Sequence, residues 1–357
     1  MVKFIAEIGV NHNGNVKFAK YLIKEAKAAG CDVVKFQIYN TNKLIKENTA
    51  LADYQKINQS DSTNQYEMLK NLELNHSQHL EIYNYCLSMK IDYLASVFDE
   101  ESLDFICKTL NCDSIKFGSG ELSNLKLLWL AAKNKKHIIL STGMAPIGDI
   151  ELALTSLALG YLNIEPKQLD QDQILSIFHD ENTHTILKKY VTLMHCTSEY
   201  PSNAADANLS AIKILQNVFG LNVGFSDHTN GIACSLGAVS MGVKLIEKHF
   251  TSDKNLSGPD HLSSTEPKEF SNLILESKNL ELALAKKYKS LSGPELKNRN
   301  IVRKKIIASK IIKKDDYFCF NSLSTIRSEE GLDAINLFSL MQKKASQDYF
   351  PGDTIFE

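Results

Sequence analysis

The sequence lacks the features of a membrane-spanning, secreted or polyanion-binding protein. No apolar run in its 357 residues approaches the roughly 20 residues that are needed to cross a bilayer. The N-terminal stretch MVKFIAEIGV carries one lysine and then reaches Ala6 and Glu7, so it does not resemble a signal peptide. The formal net charge is only −2, which leaves no surplus of positive charge for nucleic acid. We therefore expect neither a nucleic-acid partner nor a membrane partner.

Paired cysteine spacing is also missing. Cys107 and Cys112 lie five positions apart, which fits neither a CxxC motif nor a zinc ribbon. An odd, scattered set is typical of reduced thiols in a cytoplasmic protein, and we expect none of them to be catalytic. The seven cysteines are Cys31, Cys86, Cys107, Cys112, Cys196, Cys234 and Cys319.

The first predicted strand is not followed by a Gly-rich phosphate turn. NHNGN at 11–15 is not GxGxxG, which argues against a doubly wound sheet. Instead, short β-branched runs alternate with segments of helical period, which indicates a parallel sheet with covered faces. Eight such units predict a (β/α)8 barrel over residues 1–285. The predicted strands are 4–10, 33–38, 93–98, 114–120, 137–143, 191–198, 222–229 and 244–251.

Several segments fall outside this plan. Residues 39–75 and 161–189 are predicted to be long polar connections, which in compact domains are usually binding lids or peripheral additions. The polar stretch 286–300, with its Ser-Gly-Pro, predicts a linker. Residues 301–357 predict a small, mostly β module that is too short to be independent of its neighbour.

Polar residues collect where the predicted barrel strands end. Barrel enzymes place their active sites at the C-terminal ends of the strands. A carboxylate at Glu7, lysines at Lys35 and Lys116, and histidines at His228 and His249 all fall there. A purely structural barrel has no need of these groups at one rim, so the pattern indicates an enzyme.

His228 and His249 end two neighbouring predicted strands. Such strands lie about 4.8 Å apart, so the two imidazoles could share one divalent ion. The alternative is that each imidazole only hydrogen-bonds a nearby loop. Two protein nitrogens would leave coordination positions open, as in catalytic rather than structural metal sites.

The two lysines have two possible roles. With Ser96, Ser119 and Ser141 they could bind a small phosphorylated, carboxylated anion. Alternatively, one of them could form a Schiff base with a carbonyl, as in many barrel aldolases. Glu7 and Glu121 are candidate general bases or ion-pair partners. The residues alone do not separate these alternatives.

Taken together, eight motifs in chain order resemble the sialic acid synthases, the phosphoenolpyruvate-condensing enzymes of nonulosonate biosynthesis. The resemblance runs from about residue 3 to the C-terminus. The motifs are AEIGVNHNG (6–14), VVKFQ (33–37), KFGSGELSN (116–124), LSTGM (140–144), HCTSEYP (195–201), GFSDHT (224–229), IEKHFT (246–251) and GPDH (258–261).

The resemblance implies an α/β fold, a TIM barrel followed by an antifreeze-like (SAF) domain, in a domain-swapped homodimer. In such a dimer each small domain would cap its partner's active site. His228 and His249 would hold a divalent metal ion (Mn²⁺, Mg²⁺ or Co²⁺), and Glu7 would lie near the reacting carbons. Phosphoenolpyruvate would contact Lys35, Ser96, Lys116, Ser119, Ser141 and Ser226. The sugar would contact Gln37, Glu121, Ser198, Tyr200, Asp260 and, from the cap, Arg327.

The expected reaction joins phosphoenolpyruvate to open-chain N-acetylmannosamine and forms N-acetylneuraminate. The alternative substrate is 2,4-diacetamido-2,4,6-trideoxymannose, which would give N,N'-diacetyllegionaminate. A metal-dependent aldolase and a non-catalytic glycan-binding barrel are more distant alternatives. The chain departs from the family pattern at Ser96-Val97, at Ser198 and after Arg327, where Ser328 replaces the usual proline.

Overall fold

The first part of the chain folds as a closed barrel of eight parallel strands, as predicted. The computed structural model describes residues 1–50 and 64–357, which separate into two compact units, Met1–Ala285 and Lys286–Glu357. In the first unit the strands pair in chain order, and the last closes on the first. They are β1 (Lys3–Gly9), β2 (Val33–Ile38), β3 (Asp92–Val97), β4 (Ser114–Phe117), β5 (His137–Ser141), β6 (Val191–Cys196), β7 (Asn222–Ser226) and β8 (Leu245–His249).

Helices connect the strands and cover the outside of the barrel. They are α1 (Val16–Ala29), α2 (Thr41–Leu44), α3 (Gln65–Leu72), α4 (His76–Met89), α5 (Glu100–Asp104), α6 (Leu125–Lys133), α7 (Ile147–Leu162), α8 (Gln171–Phe178), α9 (Glu181–Tyr190), α10 (Ser210–Phe219), α11 (Ala233–Ser240) and α12 (Pro267–Leu284). In the described residues, no helix has both the length and the apolarity that spanning a membrane requires.

The first helix shows how local sequence sets these elements. The Asn15 side chain accepts hydrogen bonds from the backbone N–H groups of Lys17 and Phe18, which satisfies donors that a helix start leaves unpaired. Gly30 ends α1 at φ 94°, a left-handed conformation that suits glycine. Between the caps, the apolar side chains recur at helical spacing and are buried.

The period-two alternation of the strands divides the barrel interior into an apolar floor and a charged upper layer. Ile5 and Glu7 point inward from β1, and Val33 and Lys35 point inward from β2. The floor cluster consists of Ile5, Val33, Leu94, Ile139 and Met194, with Leu245 packed against it. At Gly224 a Cβ would lie 2.3 Å from Met194 Sδ, so glycine allows the floor to pack closely. The buried charged side chains of the lumen therefore lie above this floor, at the C-terminal end.

Several strands end earlier than the sequence predicted. The fourth strand stops at Phe117, and Ser119–Glu121 form a 3₁₀ turn. The seventh and eighth stop at Ser226 and His249. Ser119 and His228 are consequently loop residues rather than strand residues.

The two segments predicted as polar connections contain helices. The 161–189 stretch holds α8 and most of α9, and buried Phe178 and Leu187 pack into the core that α7 shares. It is a peripheral helical addition. The 39–75 stretch holds α2 and α3, and part of it lies outside the described residues.

The second unit contains a small antiparallel sheet with its own core. Strands β9 (Lys304–Ala308) and β10 (Leu323–Arg327) pair, and the core includes Ile306, Phe318 and Leu340. The predicted linker 286–300 instead leads into helix α13 (Gly293–Val302), because Ser292 and Glu295 form a capping box at its start. A last short helix is α14 (Leu337–Leu340). The antifreeze-like assignment stays a prediction.

Candidate active site

The upper layer of the barrel opens into a cavity of about 500 Å³, a size typical of small-molecule sites. It receives all the barrel residues that the sequence analysis assigned to catalysis or binding. They are Glu7, Lys35, Gln37, Ser96, Lys116, Ser119, Glu121, Ser141, Ser198, Tyr200, Ser226, His228, His249 and Asp260. Arg327 belongs to the second unit, where it ends β10.

Glu7 and Lys35 form a buried ion pair at the centre of this layer. Their strands place the two residues directly opposite each other, and Lys35 Nζ lies 2.7 Å from Glu7 Oε2. Burial raises the pKa of Glu7, and the neighbouring Lys35 ammonium offsets only part of that rise. Gln37 Nε2 donates to the other carboxylate oxygen over 3.2 Å. The carboxylate is thus oriented from two sides.

Glu247 is a buried carboxylate that the sequence analysis did not select. Its Oε1 lies 3.4 Å from Lys116 Nζ, its Oε2 lies 3.8 Å from Lys35 Nζ, and Ser226 Oγ donates to it over 2.8 Å. Burial raises its pKa, but the ammonium groups of Lys116 and Lys35 outweigh burial and hold the pKa at about 2. The motif IEKHFT could have indicated Glu247 as a site residue. Glu247 and His249 lie two positions apart and therefore share one face of β8.

The two lysines each reach a serine hydroxyl. Lys35 Nζ donates to Ser96 Oγ over 3.2 Å, and Lys116 Nζ donates to Ser141 Oγ over 2.8 Å. Burial lowers the pKa of Lys35, yet Glu247 and Glu7 more than compensate and raise it overall. Burial dominates at Lys116, whose pKa is lowered despite Glu247. Ammonium and hydroxyl donors therefore converge on one part of the cavity, as an anion requires.

His228 and His249 meet at the same rim, with ring centroids 5.5 Å apart. His228 Nδ1 lies 2.6 Å from the Thr197 carbonyl oxygen, to which it donates, so Nε2 carries the lone pair. Burial lowers the pKa of His228 to about 4 and that of His249 well below its usual value. Both imidazoles are consequently neutral near pH 7.

This pair fits a divalent ion with two protein ligands. Neutral imidazoles are good ligands for such ions, and buried His249 Nδ1 has no hydrogen-bond partner. Asp260 Oδ2 lies 3.7 Å from that nitrogen. The described residues hold no cluster of three or more His, Cys, Asp or Glu side chains that could bind a metal. An ion here would therefore complete its coordination with water or substrate.

Two of the predicted sugar contacts, Tyr200 and Asp260, lie beside the imidazoles. The Tyr200 ring lies 4.2 Å from the His228 ring, centroid to centroid. Burial raises the pKa of Asp260 to about 7, and Glu7 adds to that rise. Burial also raises the pKa of Glu121, which accepts from Asn124 Nδ2 over 2.9 Å. Tyr200 and Asp260 are thus next to the proposed metal ligands, whereas Glu121 lines the same cavity from the turn after β4.

A further buried ion pair lies at the ends of β7 and β8 and was also missed. Lys248 Nζ is 3.0 Å from Asp227 Oδ2, and it donates to the Thr229 carbonyl oxygen over 2.8 Å. Because neighbouring strand residues point to opposite faces, this pair lies outside the barrel lumen. It ties the ends of β7 and β8 together immediately beside His228 and His249.

The fold and this site define an enzyme of the (β/α)8-barrel class, and comparison with known proteins gives its family. The chain matches the model of the NeuB family over residues 22–289. The N,N'-diacetyllegionaminic acid synthase of Campylobacter jejuni is 38% identical over 353 residues, which are 99% of this chain and 98% of that protein. The chain therefore belongs to the NeuB family, which confirms the resemblance found in the motifs.

Two further relatives agree. The N,N'-diacetyllegionaminic acid synthase of Legionella pneumophila is 36% identical over 351 residues, 98% of this chain and 92% of that protein. The crystal structure of N-acetylneuraminic acid (sialic acid) synthetase from Leptospira borgpetersenii, in complex with citrate, has a TM-score of 0.67 at 30% identity. That match covers 84% of this chain and 90% of the Leptospira chain.

Proposed function

We propose that this enzyme condenses phosphoenolpyruvate with open-chain 2,4-diacetamido-2,4,6-trideoxymannose and water, and releases N,N'-diacetyllegionaminate and phosphate. The observation that carries the proposal is one cavity in which Lys35 and Lys116 face the His228–His249 pair. The sequence analysis favoured N-acetylneuraminate as the product. The two N,N'-diacetyllegionaminic acid synthases, at 38% and 36% identity, support its alternative better.

The lysine side of the cavity would bind phosphoenolpyruvate. Lys35 and Lys116 supply charge, and Ser96, Ser141 and Ser226 supply hydroxyl donors beside them. These fixed donors would stabilise negative charge on phosphate and carboxylate during the reaction. In this role neither lysine forms a Schiff base.

The histidine side would bind the aldehyde end of the sugar. His228 and His249 would hold a divalent ion (Mn²⁺, Mg²⁺ or Co²⁺), which would act there as a Lewis acid toward the sugar aldehyde. Tyr200 and Asp260, beside the two rings, would position the sugar chain. The ring of His249 has a free nitrogen for this purpose.

The reaction then needs one new carbon–carbon bond and one water. C3 of phosphoenolpyruvate attacks C1 of the aldehyde, whose oxygen takes a proton, and positive charge develops at C2. Water adds at C2 and loses its proton to Glu7, whose raised pKa makes it a stronger base. The C2–O bond of the tetrahedral phosphate ester breaks, phosphate leaves with the bridging oxygen, and C2 becomes a ketone.

The second unit would complete the site in a homodimer. We infer that Arg327 of one protomer reaches the sugar site of the other, as the resemblance implies. Arg327 is exposed at the end of β10, so its guanidinium is accessible within its own unit. A bidentate guanidinium would suit a sugar oxygen or the product carboxylate.

N-acetylmannosamine is the second candidate sugar. It is favoured by the similarity to the Leptospira sialic acid synthetase, at 30% identity. It differs from the first candidate at C4 and C6, which carry hydroxyl groups in place of an acetamido group and a hydrogen. The first steps of the reaction are the same for both sugars.

The test is phosphate release from phosphoenolpyruvate with Mn²⁺ and either sugar in parallel. We expect release with the diacetamido sugar and its loss on chelation. With ¹⁸O in the bridging position, the label should leave with phosphate. Release with N-acetylmannosamine alone would transfer the proposal to the second candidate, and release with neither would overturn it.

A further inference from the structure

One side of the active-site cavity is apolar, in contrast to the charged layer described above. Its side chains come from the segments that follow β1, β2 and β3, including helices α2 and α3, and they form a cluster separate from the main barrel core. We call this set the apolar wall. It consists of Val10, Leu44, Met68, Leu69, Leu72 and Phe98.

The apolar wall extends from the side of the barrel mouth next to His249 to the side opposite His228. Val10 follows β1, which pairs with the His249 strand β8, whereas Phe98 follows β3, which is opposite β7 in a ring of eight. A sugar whose C1 lies at His228 and His249 would extend its chain away from them. The cavity is continuous between the two sides, so the far carbons of the sugar can reach the wall.

Hydrogen bonds hold the wall in place. Tyr39 Oη donates to the Leu69 carbonyl oxygen over 3.0 Å, which fastens α3 to the end of β2. Thr41 donates to Glu73 Oε2 through its backbone N–H over 3.0 Å and through its hydroxyl over 2.5 Å. Because these contacts tie α3 to the residues that follow β2, the described side chains of the wall form a preformed surface of the cavity.

The residues of the apolar wall differ in their exposure to the cavity. Val10, Met68 and Leu72 are only 2–6% exposed and form the interior of the cluster. Leu44, Leu69 and Phe98 are partly exposed while they line the cavity, so they are the side chains that a ligand touches. Gln65 also lines the cavity from the start of α3.

We propose that the apolar wall makes this enzyme selective for a sugar with methyl groups at its far end. This inference rests on the proposed function and names the feature of the sugar that the site reads. In 2,4-diacetamido-2,4,6-trideoxymannose, C6 is a methyl group and the C4 acetamido group ends in another. Leu44, Leu69 and Phe98 would contact these methyl groups.

The physical reason is the difference in desolvation between the two sugars. N-acetylmannosamine would turn its C4 and C6 hydroxyl groups toward Leu44, Leu69 and Phe98, whose side chains offer no hydrogen-bond partner in place of the water that is lost. The methyl groups instead leave water for a surface that packs against them. Differences of this kind in apolar pockets change kcat/KM by about ten- to two-hundredfold.

The test uses Leu44→Gln and Leu69→Gln, which keep chain length and helix propensity but make the wall polar. We measure kcat/KM for both sugars and expect the ratio, diacetamido sugar over N-acetylmannosamine, to fall at least tenfold. The decrease in kcat/KM should come from a higher KM for the diacetamido sugar, while the KM for phosphoenolpyruvate stays the same. Leu80→Gln, a partly exposed leucine on α4, is the matched control and should leave the ratio unchanged.

A binding measurement separates selectivity from turnover. The alditol of the diacetamido sugar is permanently open-chain and has no aldehyde, so it binds without reacting. Its Kd, measured by calorimetry with phosphoenolpyruvate absent, should rise about tenfold or more in both variants. Leu69→Ala, which stays apolar, should keep the preference for this alditol over that of N-acetylmannosamine.

Each outcome has one meaning. A ratio that stays within twofold of wild type in both Gln variants overturns the inference and leaves the proposed function intact. A wild-type enzyme that prefers N-acetylmannosamine also overturns it, while the reaction class stands. If wild type releases phosphate with neither sugar, the proposed function fails and this inference fails with it.

Discussion

Glu247 Oε1 lies 3.4 Å from Lys116 Nζ, inside a barrel where both side chains are almost fully buried. The same carboxylate reaches Lys35, which also pairs with Glu7, so the two carboxylates together balance the two lysines that are proposed to bind phosphoenolpyruvate. An anion that enters the site would share these lysines with Glu247. The pocket is thus charge-balanced before substrate binds, which limits the cost of burying two ammonium groups.

We expect Glu247→Gln to destabilise the protein in a way that phosphoenolpyruvate reverses. The substitution leaves Lys116 buried without its carboxylate partner, and breaking such a pair costs about 3–5 kcal/mol. Phosphoenolpyruvate would bring negative charge to the same place. The Tm measured by thermal unfolding should therefore fall in the variant and rise more on ligand addition than it does in wild type.

Glu101→Gln is the control for that experiment. Glu101 forms an ion pair with Lys43 at 2.6 Å, but about half of each side chain is exposed. Exposed pairs contribute little to stability because water and salt screen them, so the Tm should barely change. Equal ligand-induced shifts in wild type and Glu247→Gln would contradict a role for Glu247 in balancing the anion site.

His249→Ala tests the metal prediction. Loss of one of two imidazoles should weaken Mn²⁺ binding and lower phosphate release by more than about a hundredfold. Even the removal of a hydrogen-bond partner of a metal ligand typically lowers metal affinity or activity by about 10–100-fold. Electron paramagnetic resonance of free Mn²⁺ measures binding, and circular dichroism checks the fold. His184→Ala, on α9 beside Phe178, is the matched control. Unchanged Mn²⁺ affinity in His249→Ala would exclude this residue as a ligand.

Arg327→Ala tests the proposed cap. If the guanidinium reaches the partner's sugar site, its loss removes a charge-assisted hydrogen bond, worth about 1.5–3 kcal/mol. The KM for the sugar should rise about tenfold or more, with little change in KM for phosphoenolpyruvate. Arg299→Ala, from α13 of the same unit, should change neither constant. An effect of Arg327→Ala on phosphoenolpyruvate alone would contradict the role.

His79→Leu should make the barrel less sensitive to acid. His79 is fully buried, and burial lowers its pKa to about 3. The unfolded side chain protonates near its usual pKa of 6.5, so protons favour the unfolded state as pH falls from 6.5 toward 3. At pH 5 this difference costs wild type about 2 kcal/mol of unfolding free energy. Denaturant titrations between pH 7 and 4.5 should show a shallower decline in the variant.

Tyr93→Phe separates titration from the lost hydrogen bond. Tyr93 Oη lies 3.2 Å from His79 Nδ1, and His79→Leu removes that contact as well. Tyr93→Phe should lower stability by a similar amount at every pH and keep the wild-type slope. Parallel curves for wild type and His79→Leu would show that His79 does not carry the pH dependence.

The barrel and most of its site followed from sequence pattern. Glu7, Lys35 and Lys116 stand out because charged residues are rare in buried strands. Glu7 and Lys35 also lie two residues beyond the inward-facing Ile5 and Val33, which places them in the lumen. The helices of 161–189 were missed because their polar faces hid the few buried positions, such as Phe178 and Leu187. Helix α13 was missed because Ser292, Gly293 and the following proline were interpreted as a linker, although Ser292 begins a capping box.

The sequence pattern alone therefore determined which segments form strands, which faces point inward and where charge collects, because backbone geometry repeats every two residues in a strand. Only the tertiary structure decided the partners across the barrel. Glu247 and Lys116 are 131 positions apart in the chain and meet because β8 and β4 face one common lumen. The apolar wall likewise exists only where loops after three strands converge. Pairings between distant segments depend on closure of the barrel, which no local pattern encodes.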